Sequence, residues 1–188
     1  MPTSTGLPEL DAELRDALVD VARRSILEML AGRDYAPPIP DRGSVLARRD
    51  GVFVTLKSGG RLRGCIGHIE ASEPIPASVA KLARAAARED PRFDPVVVDE
   101  VGGLEIEVTL LSPLEPIHGP DEVQIGRHGL VVEQGHRRGL LLPQVATEQG
   151  WSAEVFLEQT CWKAGLPPDA WRQGAGVYRF EGVVFGEG

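Results

Sequence analysis

Residues 52–69 read VFVTLKSGGRLRGCIGHI. Val52 to Leu56 is β-branched and aromatic, the composition of a strand. Ser58-Gly59-Gly60 is a turn signal, with two glycines free to take positive φ. Arg61 to Ile69 then returns as a second strand, so the stretch predicts a β-hairpin. Side chains alternate along an extended chain. Leu62, Gly64, Ile66 and His68 should share one face, and Arg61, Arg63, Cys65 and Gly67 the other. A bulge at Gly64 would break that assignment. Glycine inside a strand marks a bulge or a close approach by a ligand or another backbone. Gly64 and Gly67 would leave Cys65 accessible, and Arg63 on its face would favour the thiolate.

Three readings of this hairpin stay open. In the first, Cys65 is a nucleophilic or redox thiol activated by Arg63, with His68 as a base if a bulge brings it round. In the second, Arg61, Gly64, Gly67 and Arg92 bind a ligand or dock a partner without catalysis. In the third, the two glycines let backbones approach and Cys65 fills a small core space.

The chain has 188 residues, 42% of them hydrophobic, enough for one domain or two subdomains sharing a core. No apolar run approaches the ~20 residues of a membrane span. Met1 to Pro8 lacks the basic and apolar regions of a signal peptide. Cys65 and Cys161 form neither a disulfide framework nor a zinc pattern, which reads as a reduced, cytoplasmic protein. The net charge of -8 argues against general nucleic-acid binding. Yet Arg42, Arg48, Arg49, Lys57, Arg61 and Arg63 fall in one segment opposed locally only by Asp50. Such a basic hairpin could take an anionic ligand or an acidic partner, or it could be a solvated face that discourages edge pairing.

Outward from the hairpin, Leu10, Leu14, Leu18, Val21, Ala22, Ile26 and Met29 recur at helical spacing and predict a helix over ~9–31. Gly32 is positioned to cap it. Ser44 to Arg49 reads as a short strand. Ala77 to Glu89 reads as a second helix, stopped by Asp90-Pro91-Arg92-Phe93-Asp94-Pro95. That stop is either a rigid loop pinned by Phe93 or a ligand contact through Arg92. Leu104 to Leu110 alternates as a half-exposed antiparallel strand. Ile125 to Glu133 and Leu140 to Leu142 read as a second hairpin. His128 and His136 near it have no third partner at metal-ligand spacing. Pro143 to Gly150 reads as a short helix, and Ser152 caps another that runs to Gly165. Cys161 falls on its inner side as a small buried hydrophobe. Tyr178 to Phe185 is a closing strand. No P-loop, dinucleotide fingerprint or other cofactor motif is present.

Four segments occur together and in order: Leu62-Arg63-Gly64-Cys65-Ile66-Gly67, Asp90-Pro91-Arg92-Phe93, Leu141-Leu142-Pro143-Gln144-Val145 running to Gly150-Trp151, and Cys161-Trp162-Lys163-Ala164-Gly165-Leu166. In these the chain resembles the AMME-syndrome candidate (AMMECR-type) domain family, the A component of the AmmeMemoRadiSam group, over roughly 10–186. The resemblance implies an α+β fold, an antiparallel sheet flanked by helices with a smaller, mostly helical subdomain. The expected division is a larger subdomain of about 9–117 plus 174–186 and a smaller one of about 118–173. It also implies company, a Memo-like protein and a radical SAM enzyme. It assigns no reaction, and it draws attention to Arg63, Gly64 and Cys65.

Overall fold

The computed structural model describes residues 6–187. Its first compact unit holds residues 8–111 and the end of the last strand from 183; the second holds 112–182.

In the first unit, helix α1 spans Ala12–Leu30, with the Asp11 carboxylate accepting from the Leu14 N–H at 2.9 Å. At its other end Gly32 takes φ +69°. The Gly32 and Arg33 N–H groups return to the Met29 and Glu28 carbonyls, which satisfies two orphaned acceptors of the last turn. Ser44 to Arg49 is not a strand. It forms a 3-10 turn, Val45–Ala47, because the Ser44 hydroxyl accepts from the Leu46 N–H and diverts the backbone from a ladder.

Strands β1 (Val52–Ser58) and β2 (Arg61–His68) form the expected hairpin. Gly59 and Gly60 both have positive φ, as the favoured two-residue turn requires. Helix α2 is Ile75–Arg88, and β3 is Leu104–Leu111. β2 and β3 flank β1 on opposite sides, both antiparallel to it. Val52, Val54 and Leu56 of β1 and Ile106, Val108 and Leu110 of β3 are fully buried. They form one core with Leu18, Ala22 and Ile26 of α1 and Val79, Leu82 and Ala83 of α2. The buried Ser25 ties the two helices together: its hydroxyl donates to the Ala80 carbonyl and accepts from the Arg84 guanidinium, each at 2.7 Å.

The β1–β2 register shifts once. Leu56 pairs with Gly64 and Lys57 with Leu62, so Arg63 is the extra residue of a bulge. Gly64, Ile66 and His68 therefore keep one face and Cys65 and Gly67 the other. Leu62 crosses to the Cys65 side and Arg61 leaves it, which corrects the simple alternation for those two positions.

The second unit carries β4 (Glu115–Pro116), the hairpin of β5 (His128–Gln134) and β6 (Arg137–Leu141), helices α3 (Pro143–Gln149) and α4 (Ala153–Lys163), and the 176–182 part of β7 (Gly176–Gly186). β7 runs antiparallel to β4 and β5. Phe156, Leu157 and Cys161 of α4 are fully buried with Leu130 and Val132 of β5. Burial also pushes the Cys161 thiol pKa up, consistent with an inert core residue. β5 starts later than the sequence predicts because Gly126, at φ +85°, turns the chain first. No helix among the described residues is long and apolar enough to cross a membrane.

Candidate functional site

The geometry around Cys65 follows from two glycines and one carboxylate. A Cβ at Gly64 would lie 2.2 Å from the Ala86 carbonyl oxygen, so the missing side chain lets β2 press directly onto α2. A Cβ at Gly67 would strike the Phe53 ring, also at 2.2 Å. Between them Cys65 is half-buried on the face away from the helices, opposite Thr55 in the ladder. The Thr55 hydroxyl donates to Sγ at 3.2 Å.

The carboxylate is Asp90, two residues past the end of α2 and only 4% exposed. Its Oδ1 accepts from the Arg92 N–H (3.1 Å) and Nε (3.0 Å). Its Oδ2 accepts from the Cys65 N–H (2.9 Å) and from Arg92 Nη2 (2.8 Å). The guanidinium hydrogen bonds, more than any other influence, hold the Asp90 pKa far below the ordinary carboxylate range, against the opposing effect of burial. The same bonds raise the Arg92 pKa, and a thiolate at Cys65 lies near enough to add to that effect. Arg92 remains 56% exposed while anchored in this way. Its guanidinium also lies 5.5 Å from the Phe93 ring centroid.

Asp90 thus brings Cys65 and Arg92 together, and the arginine beside the thiol is Arg92. Arg63 is committed elsewhere. Its Nε and Nη2 grip the two oxygens of Glu100 at 3.0 and 3.1 Å, and its Nη1 donates to the Asp94 carbonyl at 2.9 Å. Those bonds, with one from the Val97 N–H, lower the Glu100 pKa. His68 stands opposite Val52 on the helix-facing side of the ladder, not the Cys65 side. Its Nε2 is buried without a hydrogen-bond partner among the described residues, and burial first, then Lys81, lowers its pKa. Arg61 is exposed, opposite Ser58.

The basic segment is partly neutralised, by remote acids at Arg63 and Lys57 and by a near one at Arg48. Lys57 meets Glu107 at 2.5 Å and Arg48 meets Asp50 at 2.7 Å, while Arg49 donates to the Ser72 carbonyl at 2.6 Å. Sequence reasoning singled out Cys65 and Arg92 but missed the residue that joins them. A signal was available. Asp before Pro at a helix end is a side chain that can accept from the backbone two residues on, which Asp90 does with Arg92.

A family model described as AMMECR1 matches residues 19–185, which includes every residue of this arrangement. The chain belongs to the AMMECR1 family. It is 46% identical to a protein of Methanothermobacter thermautotrophicus over 177 residues, 90% of this chain and 92% of that one. It is also 46% identical to Protein PF1979 of Pyrococcus furiosus, covering 93% of this chain and 89% of that one. Its fold matches the crystal structure of the uncharacterized protein PH0010 from Pyrococcus horikoshii with a TM-score of 0.85 at 43% identity, over 95% of this chain and 93% of that chain.

Proposed function

We propose that this AMMECR1-family chain is a cytoplasmic binding component, which uses the Cys65 face of the β1–β2 hairpin to hold an anionic group of a ligand or of a partner. It acts beside enzymes that carry out the chemistry, a Memo-like protein and a radical SAM enzyme. The observation that carries this reading is Arg92. Its guanidinium is held by a buried carboxylate yet its side chain is more than half exposed, beside the half-buried Cys65 on a hairpin face that also carries Leu62, an apolar residue 41% exposed. Anchoring a long side chain before binding lowers the entropy lost on complex formation. Neither His68, on the other side of the ladder, nor Asp90, engaged by four N–H groups, is placed to act as a general base for Cys65.

Titration calorimetry of the purified chain with the purified Memo-like protein and, separately, with the radical SAM enzyme tests the proposal. Wild type is expected to bind at least one of them, and Arg92→Glu to weaken that binding at least tenfold, about 1.4 kcal/mol. Binding to neither, or binding indifferent to Arg92→Glu, contradicts it.

A second reading, Cys65 as a reactive thiol, draws on the Thr55 hydroxyl donated to Sγ and the neighbouring cation. Iodoacetamide would then alkylate Cys65 in the folded chain faster than it alkylates glutathione under the same conditions. A rate at or below that of glutathione removes this reading and leaves the binding one intact.

A further inference from the structure

The second unit contains a cavity of about 510 Å³, lined by no residue of the hairpin motif. That size is within the range of pockets that take small metabolites. Part of its wall is the turn before β5. There the Arg127 and His128 N–H groups both return to the Gln124 carbonyl, at 3.2 and 2.9 Å. The Gln124 N–H donates in turn to His128 Nδ1 at 3.0 Å. A backbone amide always carries its proton, so Nδ1 is the bare nitrogen of the neutral ring and Nε2 bears the N–H. Burial, then the charges of Arg179 and Arg127, lowers the His128 pKa and favours that neutral form. His128 is 8% exposed and lines the cavity, and no protein group among the described residues accepts its Nε2–H, which is left open rather than sealed in the core.

The two arginines of the wall differ. Arg179 is fully committed, with Nε on Glu115 at 3.0 Å and Nη1 on the Glu122 carbonyl at 2.7 Å. Arg127 directs Nε and Nη2 at a single oxygen of Glu181, at 2.8 and 2.7 Å, and leaves Nη1 uncommitted on a side chain 59% exposed. Glu115 and Glu181 are each matched by the guanidinium they hold. The charges of the wall are thus paired, and the donors left to receive an anion are one neutral, His128 Nε2–H, and one cationic, Arg127 Nη1–H.

We propose that this cavity binds the oxyanion of a small metabolite, a carboxylate or a phosphate, received by His128 Nε2–H and Arg127 Nη1–H. Charge-assisted hydrogen bonds of this kind are the strong ones, and the fixed tautomer presents its donor before the ligand arrives. The exposed Arg127–Glu181 pair is screened by water, so the guanidinium can reorient toward a ligand at little cost.

The test is nitrogen NMR of the histidine side chains during titration with sodium phosphate and, separately, sodium acetate, with sodium chloride at matched ionic strength as reference. The expected result is a saturable shift of His128 Nε2 with at least one oxyanion, and the tighter of the two identifies the source. Arg127→Gln should weaken it at least tenfold. His128→Asn, which retains an acceptor for the Gln124 N–H, should abolish binding as read on neighbouring backbone amides. Shifts that stay linear and equal to those in chloride, or saturable binding that either variant leaves unchanged, overturn the proposal.

Discussion

Gly64→Ala is expected to cost about 3 kcal/mol of stability, at the upper end for overpacking by a single methyl. The added Cβ would sit 2.2 Å from the Ala86 carbonyl oxygen and 3.1 Å from its carbon. Both atoms are backbone, so no rotamer change relieves the clash. α2 cannot retreat easily, because Ser25 binds it to α1 and Val79, Leu82 and Ala83 are packed in the core. β2 cannot retreat without leaving the β1 ladder at Leu56. Urea unfolding should show a lower midpoint with an unchanged slope. Gly67→Ala is the internal control. Its clash is with the Phe53 ring, a side chain rather than backbone, and the cost should be smaller, about 1–2 kcal/mol. Equal costs at the two positions would show that the approach to Ala86 is not what limits the site. Gly64 therefore has a packing reason of its own, whatever binds at the neighbouring thiol.

The parts of the structure legible in the sequence are those set by local chemistry. Gly32, Gly150 and Gly165 end helices in the left-handed conformation, and Ser152 caps the helix after it, because those requirements belong to one turn of chain. The hairpin itself was legible through Gly59-Gly60. A bulge at Gly64 was legible as an alternative, but its place one residue earlier, at Arg63, was not, since Gly64 itself stays in the ladder under α2, against a residue 22 positions away. The basic segment looked unopposed for a related reason. Its acids, Glu100 and Glu107, come from the far side of α2 in sequence, and only the register of β3 and the loop before it brings them to Arg63 and Lys57. Arg63 and Arg92 exchanged roles in consequence. Proximity in sequence pointed to Arg63 as the cation beside Cys65, and Asp90 puts Arg92 there.

Asp90→Ala should therefore disturb both the fold and the proposed site, at a cost of about 2–4 kcal/mol. The substitution removes the acceptor of four N–H groups at once. Arg92 can turn to water, being more than half exposed, and that keeps the cost below that of breaking a fully buried ion pair. The Cys65 N–H points to Asp90 rather than to β1, and hydrogen exchange at this one amide is the direct measurement. Loss of about 1.4–2.8 kcal/mol of local protection corresponds to exchange ten- to a hundredfold faster. Exchange unchanged at Cys65 would mean that the carboxylate does not hold the strand.

The pH dependence gives a second readout with a definite sign. The Asp90 pKa is depressed in the folded state, so its stabilisation is fully present above the unfolded value of ~3.9 and is lost as pH falls toward the lower folded value. Wild type should lose stability steadily below about pH 5, and Asp90→Asn should show a shallower decline over the same range. Parallel curves would assign the acid sensitivity to other carboxylates, of which Glu100, lowered chiefly by Arg63, is the next to test. Asp90→Asn retains one acceptor oxygen and should recover part of the Cys65 amide protection while losing the ionic grip on Arg92. Binding through Arg92 should then weaken more than the Cys65 strand loosens, which separates anchoring of the cation from support of the fold.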